Sequence, residues 1–119
     1  MKLNDRLLKV QLNIEKALLR SGRAQNIIIV AATKNRDPNT INATLRAGVT
    51  NIGENRIQEA EKKFNKVLKT EGVKKRFIGH LQSNKVNKCL DLFDTIDSIH
   101  SFKIAKKISK RLKITNKKI

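Results

Sequence analysis

The run Ile27-Ile28-Ile29-Val30-Ala31-Ala32 constrains the fold of this chain more than any other stretch. Four consecutive β-branched residues followed by small ones lack both the period of a surface helix and the alternation of a half-solvated strand. They suit a strand covered on both faces, as in a parallel sheet. Thr33 and Lys34 close the run. A primary amine is thereby placed at the lip of a buried strand, where partial desolvation disfavours the charged ammonium. A neutral amine is what Schiff-base chemistry with an aldehyde requires. In a chain this rich in lysine, the same residue also reads as one solvated cation among many.

The flanking sequence repeats the alternation of helix and strand. Leu3, Leu7, Ile14 and Leu18 recur at helical spacing over the first twenty residues, with Asn4 or Asp5 as a cap and Ser21-Gly22 as the stop. Asp37-Pro38 opens a second helix, with Ile41, Leu45 and Ala47 on its apolar side and Gly48 as its stop. A short strand is expected at 49–53 and a third helix from Glu54 to about Leu68. Strand three is expected at Phe77-Ile78-Gly79, a helix capped by Ser83 or Asn84 over 85–90, strand four at 92–96 and a last helix at 101–112. One leading helix and four strand–helix units imply an α/β fold with a parallel sheet.

Bulk properties narrow the function classes. At 119 residues, with no Pro-rich or Gly/Ser-rich linker, one domain is expected. Neither a membrane span nor a secretory signal is visible, and a single cysteine, Cys89, fits a reducing cytosol and an unreactive part-buried thiol. The net charge of +17 raises the alternative of a basic module that binds RNA or another polyanion, above all through the acid-free stretch from Lys103 to Ile119. The lysines are nevertheless spread over nearly every expected helix, and no aromatic side chains interleave with them as stacking platforms.

Small and polar residues gather after each expected strand: Thr33-Lys34-Asn35, Gly53-Glu54-Asn55, the stretch from Gly79 to Lys85, and Asp97-Ser98. Each alone passes as turn and cap chemistry. Four together at the carboxyl ends of parallel strands read as a ligand-binding mouth.

Taken together these loops resemble the pyridoxal phosphate homeostasis protein family, whose fold is an alanine-racemase-like (β/α)8 barrel. Three motifs carry the resemblance: Val30-Ala31-Ala32-Thr33-Lys34, Gly53-Glu54-Asn55-Arg56-Ile57-Gln58-Glu59, and the run from Phe77 to Lys85, followed by Thr95-Ile96-Asp97-Ser98. The resemblance implies that Lys34 carries pyridoxal 5'-phosphate (PLP) as a Schiff base and that Asn55 lies beside the cofactor ring. It leaves His80, Gln82 and Asn84 to capping or loop packing. Thr33 stands where serine is usual, Arg56 where tyrosine is common, and Pro38 one place late.

The resemblance spans the whole chain but only about the N-terminal half of the family's domain. The serine, glycine and arginine residues that hold the cofactor phosphate in the family come from later strands. The expectation is therefore half a TIM-barrel-like domain over residues 1–119, located in the cytoplasm. It would take part in PLP homeostasis with weakened phosphate binding and without catalytic turnover, because the acid/base tyrosine of a racemase has no counterpart in a chain with no tyrosine. Four strands leave two open edges and an uncovered inner face, expected to include Ile28, Val30, Ile78 and Ile96. A homodimer or a separately encoded C-terminal half would complete the barrel. The remaining alternative is a non-functional remnant of a PLP-binding protein.

Overall fold

A computed structural model describes residues 2–119. Helix α1 (Leu3–Ser21) leads, followed by β1 (Val30–Ala32), α2 (Pro38–Arg46), β2 (Asn51–Glu54), α3 (Ile57–Lys63), β3 (Lys74–Phe77), α4 (Val86–Leu92), β4 (Thr95–Ile96) and α5 (Phe102–Thr115). Short 3-10 turns at Phe64–Lys66 and Ser83–Lys85 extend α3 and precede α4. The four strands form one parallel sheet in the order β1-β2-β3-β4. This is a run of βα units of the TIM-barrel type, and the order of elements matches the sequence expectation.

Local chemistry explains several boundaries. The Asp37 carboxylate accepts from the Thr40 N–H at 2.8 Å and Pro38 occupies the first helical position, so α2 starts where both signals place it. Ser101 caps α5 by accepting from the Ile104 N–H. Gly22 closes α1 in the left-handed region with φ 66°. The cap expected from Asn4 or Asp5 is not used: α1 begins after Lys2 without a side-chain cap, and both residues lie within the helix.

Helices and sheet bury one continuous apolar layer. Ile52 and Phe77 from the strands meet Ile41, Ala60, Val86, Leu90 and Ile104 from the helices. Phe64 and Phe77 both pack edge-on against Phe93, with ring centroids 5.2 and 5.3 Å away. Cys89 is wholly buried here, deeper than expected, and burial pushes its thiol up to about 12.

The strands depart from expectation in three informative ways. Strand one was expected between two covered faces, yet only Val30–Ala32 joins the ladder, and Ile28 and Val30 are 52% and 36% exposed. β1 is an edge strand packed on one side only. Strand three runs over Lys74–Phe77 rather than 77–79, a segment that carries three cations. Those cations do not disfavour it: Lys75 lies over the Phe64 ring, and Arg76 donates to Asn51 and Asp97 on the opposite face. Strand four is only Thr95–Ile96, since Leu92 remains in α4.

Register also corrects the inner face. A Cβ at Gly53 would meet Ile78 Cδ1 at 2.8 Å and Val30 Cγ1 at 3.1 Å, so these three share the side away from the helices. Ile96 pairs with Phe77, whose side chain points into the helix layer, and Ile96 packs against that core. Its expected place on the inner face is wrong because Thr95, paired with Arg76, takes that face, and alternation turns Ile96 to the helices.

Candidate functional site at the carboxyl ends of the strands

Parallel pairing brings the ends of all four strands to one side of the sheet, so the four polar clusters do share a rim. The Thr33 N–H donates to the Gly53 carbonyl at 2.9 Å, which continues the β1–β2 ladder by one residue. Side chains alternate along a strand. Thr33 and Glu54 turn towards the helices, where the threonine hydroxyl donates to Glu54 Oε2. Lys34 and Asn55 follow these two residues in the chain, in the loops after β1 and β2.

Lys34 is exposed. The partial burial inferred from its place after an apolar run is not present, because that run lies on an edge with one open face. The chain just after it is nevertheless firmly held. Buried Lys63 donates from Nζ to the carbonyl of Thr33 at 2.8 Å and to that of Arg36 at 3.2 Å. The same ammonium pairs with Glu54 at 2.9 Å and Glu59 at 3.0 Å. Glu59 in turn accepts from the Asn35 N–H at 2.6 Å, and Asn35 takes a left-handed conformation with φ 59° to offer it. Burial alone would raise the Glu59 carboxyl, but the Asn35 N–H and Lys63 outweigh it and hold the group below its ordinary value.

Sequence reasoning missed this clamp. Glu54 was assigned to a helix start, whereas it is the fully buried last residue of β2. Lys63 was counted with the solvated lysines. The Glu59/Lys63 spacing of four on a helix was the available signal; its link to the β1 loop is tertiary and has no sequence signature.

Asn55 is fixed by its backbone. A Cβ at residue 79 would lie 2.7 Å from Asn55 Cα, so only glycine lets the loops after β2 and β3 pass this closely. Asn55 Oδ1 is buried and makes no hydrogen bond among the described residues. Beside it a cleft of about 240 Å³ opens above Phe77 and Ile57. Arg56 and Gln58 border it on one side, and His80, Gln82 and Lys85 on the other. Asn55 lines this cleft and Lys34 does not, so the cleft does not bring the two expected site residues together. Ser98 donates to the Gly79 carbonyl and His80 stacks on His100 with ring centroids 4.0 Å apart, which ties the loops after β3 and β4 together.

These features define a class first: a parallel α/β protein built from barrel-type βα units, with Lys34 and Asn55 in the loops at the carboxyl ends of β1 and β2. No protein-family model matches the sequence. Individual proteins do match. The chain is 36% identical over 108 residues to the pyridoxal phosphate homeostasis protein of Aquifex aeolicus, an alignment covering 90% of this chain and 47% of that one. A crystal structure of an unknown protein from Bifidobacterium adolescentis superposes with a TM-score of 0.87 at 35% identity, over 98% of this chain and 51% of the other. PipY of Synechococcus elongatus, solved with PLP bound, gives a TM-score of 0.77 at 28% identity, over 98% of this chain and 50% of its own. The chain belongs to the pyridoxal phosphate homeostasis protein family, and it spans about half the length of the relatives it matches.

Proposed function

We propose that this chain binds pyridoxal 5'-phosphate and serves intracellular PLP homeostasis as a carrier, in the cytoplasm and without catalytic turnover. This reading is supported by the placement of Lys34 and Asn55 in the loops after the paired parallel strands β1 and β2, in a chain whose relatives are named for PLP homeostasis. The residues fit the group. Lys34 offers an exposed amine on a chain pinned by Lys63, and it would take up the cofactor's aldehyde with loss of water, as a Schiff base. Asn55 Oδ1 is buried with no partner of its own, and a turn of the amide would present it to a hydrogen-bond donor on the ligand. When bound, PLP supplies an electrophilic carbonyl. The protein's part is to hold the amine at the rim.

Residues 1–119 are read as half of a barrel domain. A second copy or a separately encoded chain would pair with the free edges of β1 and β4. Absence of turnover is argued from the lack of tyrosine, the acid/base partner a racemase of this fold would place opposite the ring.

The test is absorbance in the Schiff-base band with one equivalent of PLP, comparing the chain with Lys34→Ala. The band is expected in the parent and not in the variant. Because Lys34 is exposed, the variant should keep its stability within about 0.5 kcal/mol. Equal signals in both would mean adventitious reaction at other lysines and would end this reading. A second reading, polyanion binding through α5, is favoured by its exposed Lys103, Lys106 and Lys110; that binding would fall steeply with salt, whereas the covalent link would not.

A further inference from the structure

The cleft beside Asn55 has a property independent of Lys34. All three ionisable side chains that line it, Arg56, His80 and Lys85, are basic. None of them forms an ion pair among the described residues. Glu59 is the carboxylate whose charge reaches Arg56, but its oxygen is committed to Lys63 and to the Asn35 N–H. Gln58 and Gln82 add amide donors to the same lining, and buried Phe77 and Ile57 contribute its apolar part.

We propose that this cleft is an oxyanion site for a phosphate group. Arginine presents a planar fork of N–H donors, and lysine a compact charge with rotatable donors. Lining one cleft together with two amide side chains, they suit an anion with several oxygens better than a single carboxylate. His80 adds a ring N–H, and its stack on His100 restrains the ring at the rim. The site belongs to the features that set this chain apart, since Arg56 stands where the resemblance led us to expect tyrosine. The phosphate has two sources: the free inorganic ion, or the ester end of a ligand such as PLP. Both present the same dianion.

Inorganic phosphate is the first probe, titrated into the 15N-labelled chain at constant ionic strength and followed by backbone amide shifts. Saturable shifts are expected at residues 55–58 and 80–85. Arg56→Gln/Lys85→Gln should weaken binding by about tenfold or more, as loss of charge-assisted hydrogen bonds does. Each single variant should weaken it less. Lys106→Gln/Lys110→Gln removes the same two charges from the exposed side of α5 and should leave the affinity unchanged. Equal weakening by both double variants, or shifts spread over the surface lysines, would reduce the effect to the overall field of a +17 chain and overturn the site. Lys34→Ala should still bind phosphate, so failure of the carrier reading leaves this result intact; loss of phosphate in Lys34→Ala would assign the anion to Lys34 and overturn the cleft. A comparison of PLP with pyridoxal then separates the sources. Weakening of PLP alone by the cleft variant places its ester phosphate there, and an equal response of both aldehydes, with phosphate still bound, leaves the free ion as the ligand.

Discussion

The two faces of the one sheet are built on different terms. Towards the helices, Ile52 and Phe77 are 0% and 1% exposed and lie within a continuous apolar layer. On the other face Val30 and Ile78 are each 36% exposed, and polar groups share the surface with them. There Arg76 bridges Asn51 at 2.8 Å and Asp97 at 3.2 Å, and Thr95 donates to Asp97 at 2.8 Å. The helix face holds the chain together, and the inner face is partly open to solvent. At the rim the pleat joins them: Thr33 and Glu54 belong to the buried side, and the residues that follow them, Lys34 and Asn55, are the proposed cofactor contacts.

The contrast predicts a large asymmetry between neighbours. Phe77→Ala removes an edge-on partner of Phe93 from a closed layer and should cost about 4 kcal/mol in urea denaturation. Ile78→Ala, one residue on, should cost about 1 kcal/mol or less, because much of its side chain already meets water. Similar losses at both positions would mean that the inner face is covered in solution, as self-association through the open edges would cause. Repeating the Ile78→Ala measurement at several protein concentrations would expose that cover.

The clamp under the rim comes next in size. Lys63→Met keeps the stem but removes the ammonium, leaving Glu54 buried with only the Thr33 hydroxyl for company. Breaking a buried pair in this way should cost about 3 kcal/mol. Adding Glu54→Gln should recover part of that loss, because the uncompensated charge is then gone. A loss without recovery would locate the effect in the freed carbonyls of Thr33 and Arg36, and would make Lys63 chiefly a holder of the β1 loop. In either case Lys34 should become more mobile, read as faster amide exchange at Asn35 and Arg36.

What was legible in the sequence follows the same division. Helices and their stops were readable because caps and apolar stripes are local: Asp37-Pro38, Gly22 and Ser101 act within a turn of themselves. The positions of Lys34 and Asn55 were readable because motif and strand end coincide. The exposure of Lys34 was not, since a β-branched run signals a covered strand whether or not its second layer is supplied by this chain. Strand three was misplaced because Lys74, Lys75 and Arg76 read as solvent-facing, and only the Phe64 ring and the Asn51–Asp97 pair make them strand residues. The role of Lys63 was equally hidden, since its partners lie at residues 33, 36 and 54, far along the chain.

The smallest effect expected is also the most local. Glu59 is held below its ordinary value of 4.5 in the folded chain, so its ionised form favours the native loop. That contribution is complete above the unfolded-state value and fades as pH falls through the lower folded-state value. The charged groups that lower it are Lys63 and Arg56. Asp37 is depressed as well, by its bond from Thr40, but it caps α2 and does not touch the Asn35 N–H. Exchange protection of the Asn35 amide should therefore fall on acidification below the ordinary carboxylate value of 4.5 in the parent and in Asp37→Asn. In Glu59→Gln it should be weaker throughout and independent of pH in that range, apart from the intrinsic exchange rate. A parent profile as flat as the variant's would mean that the Asn35 contact does not hold the loop, leaving Lys63 as its sole anchor and the rim looser than the buried face beneath it.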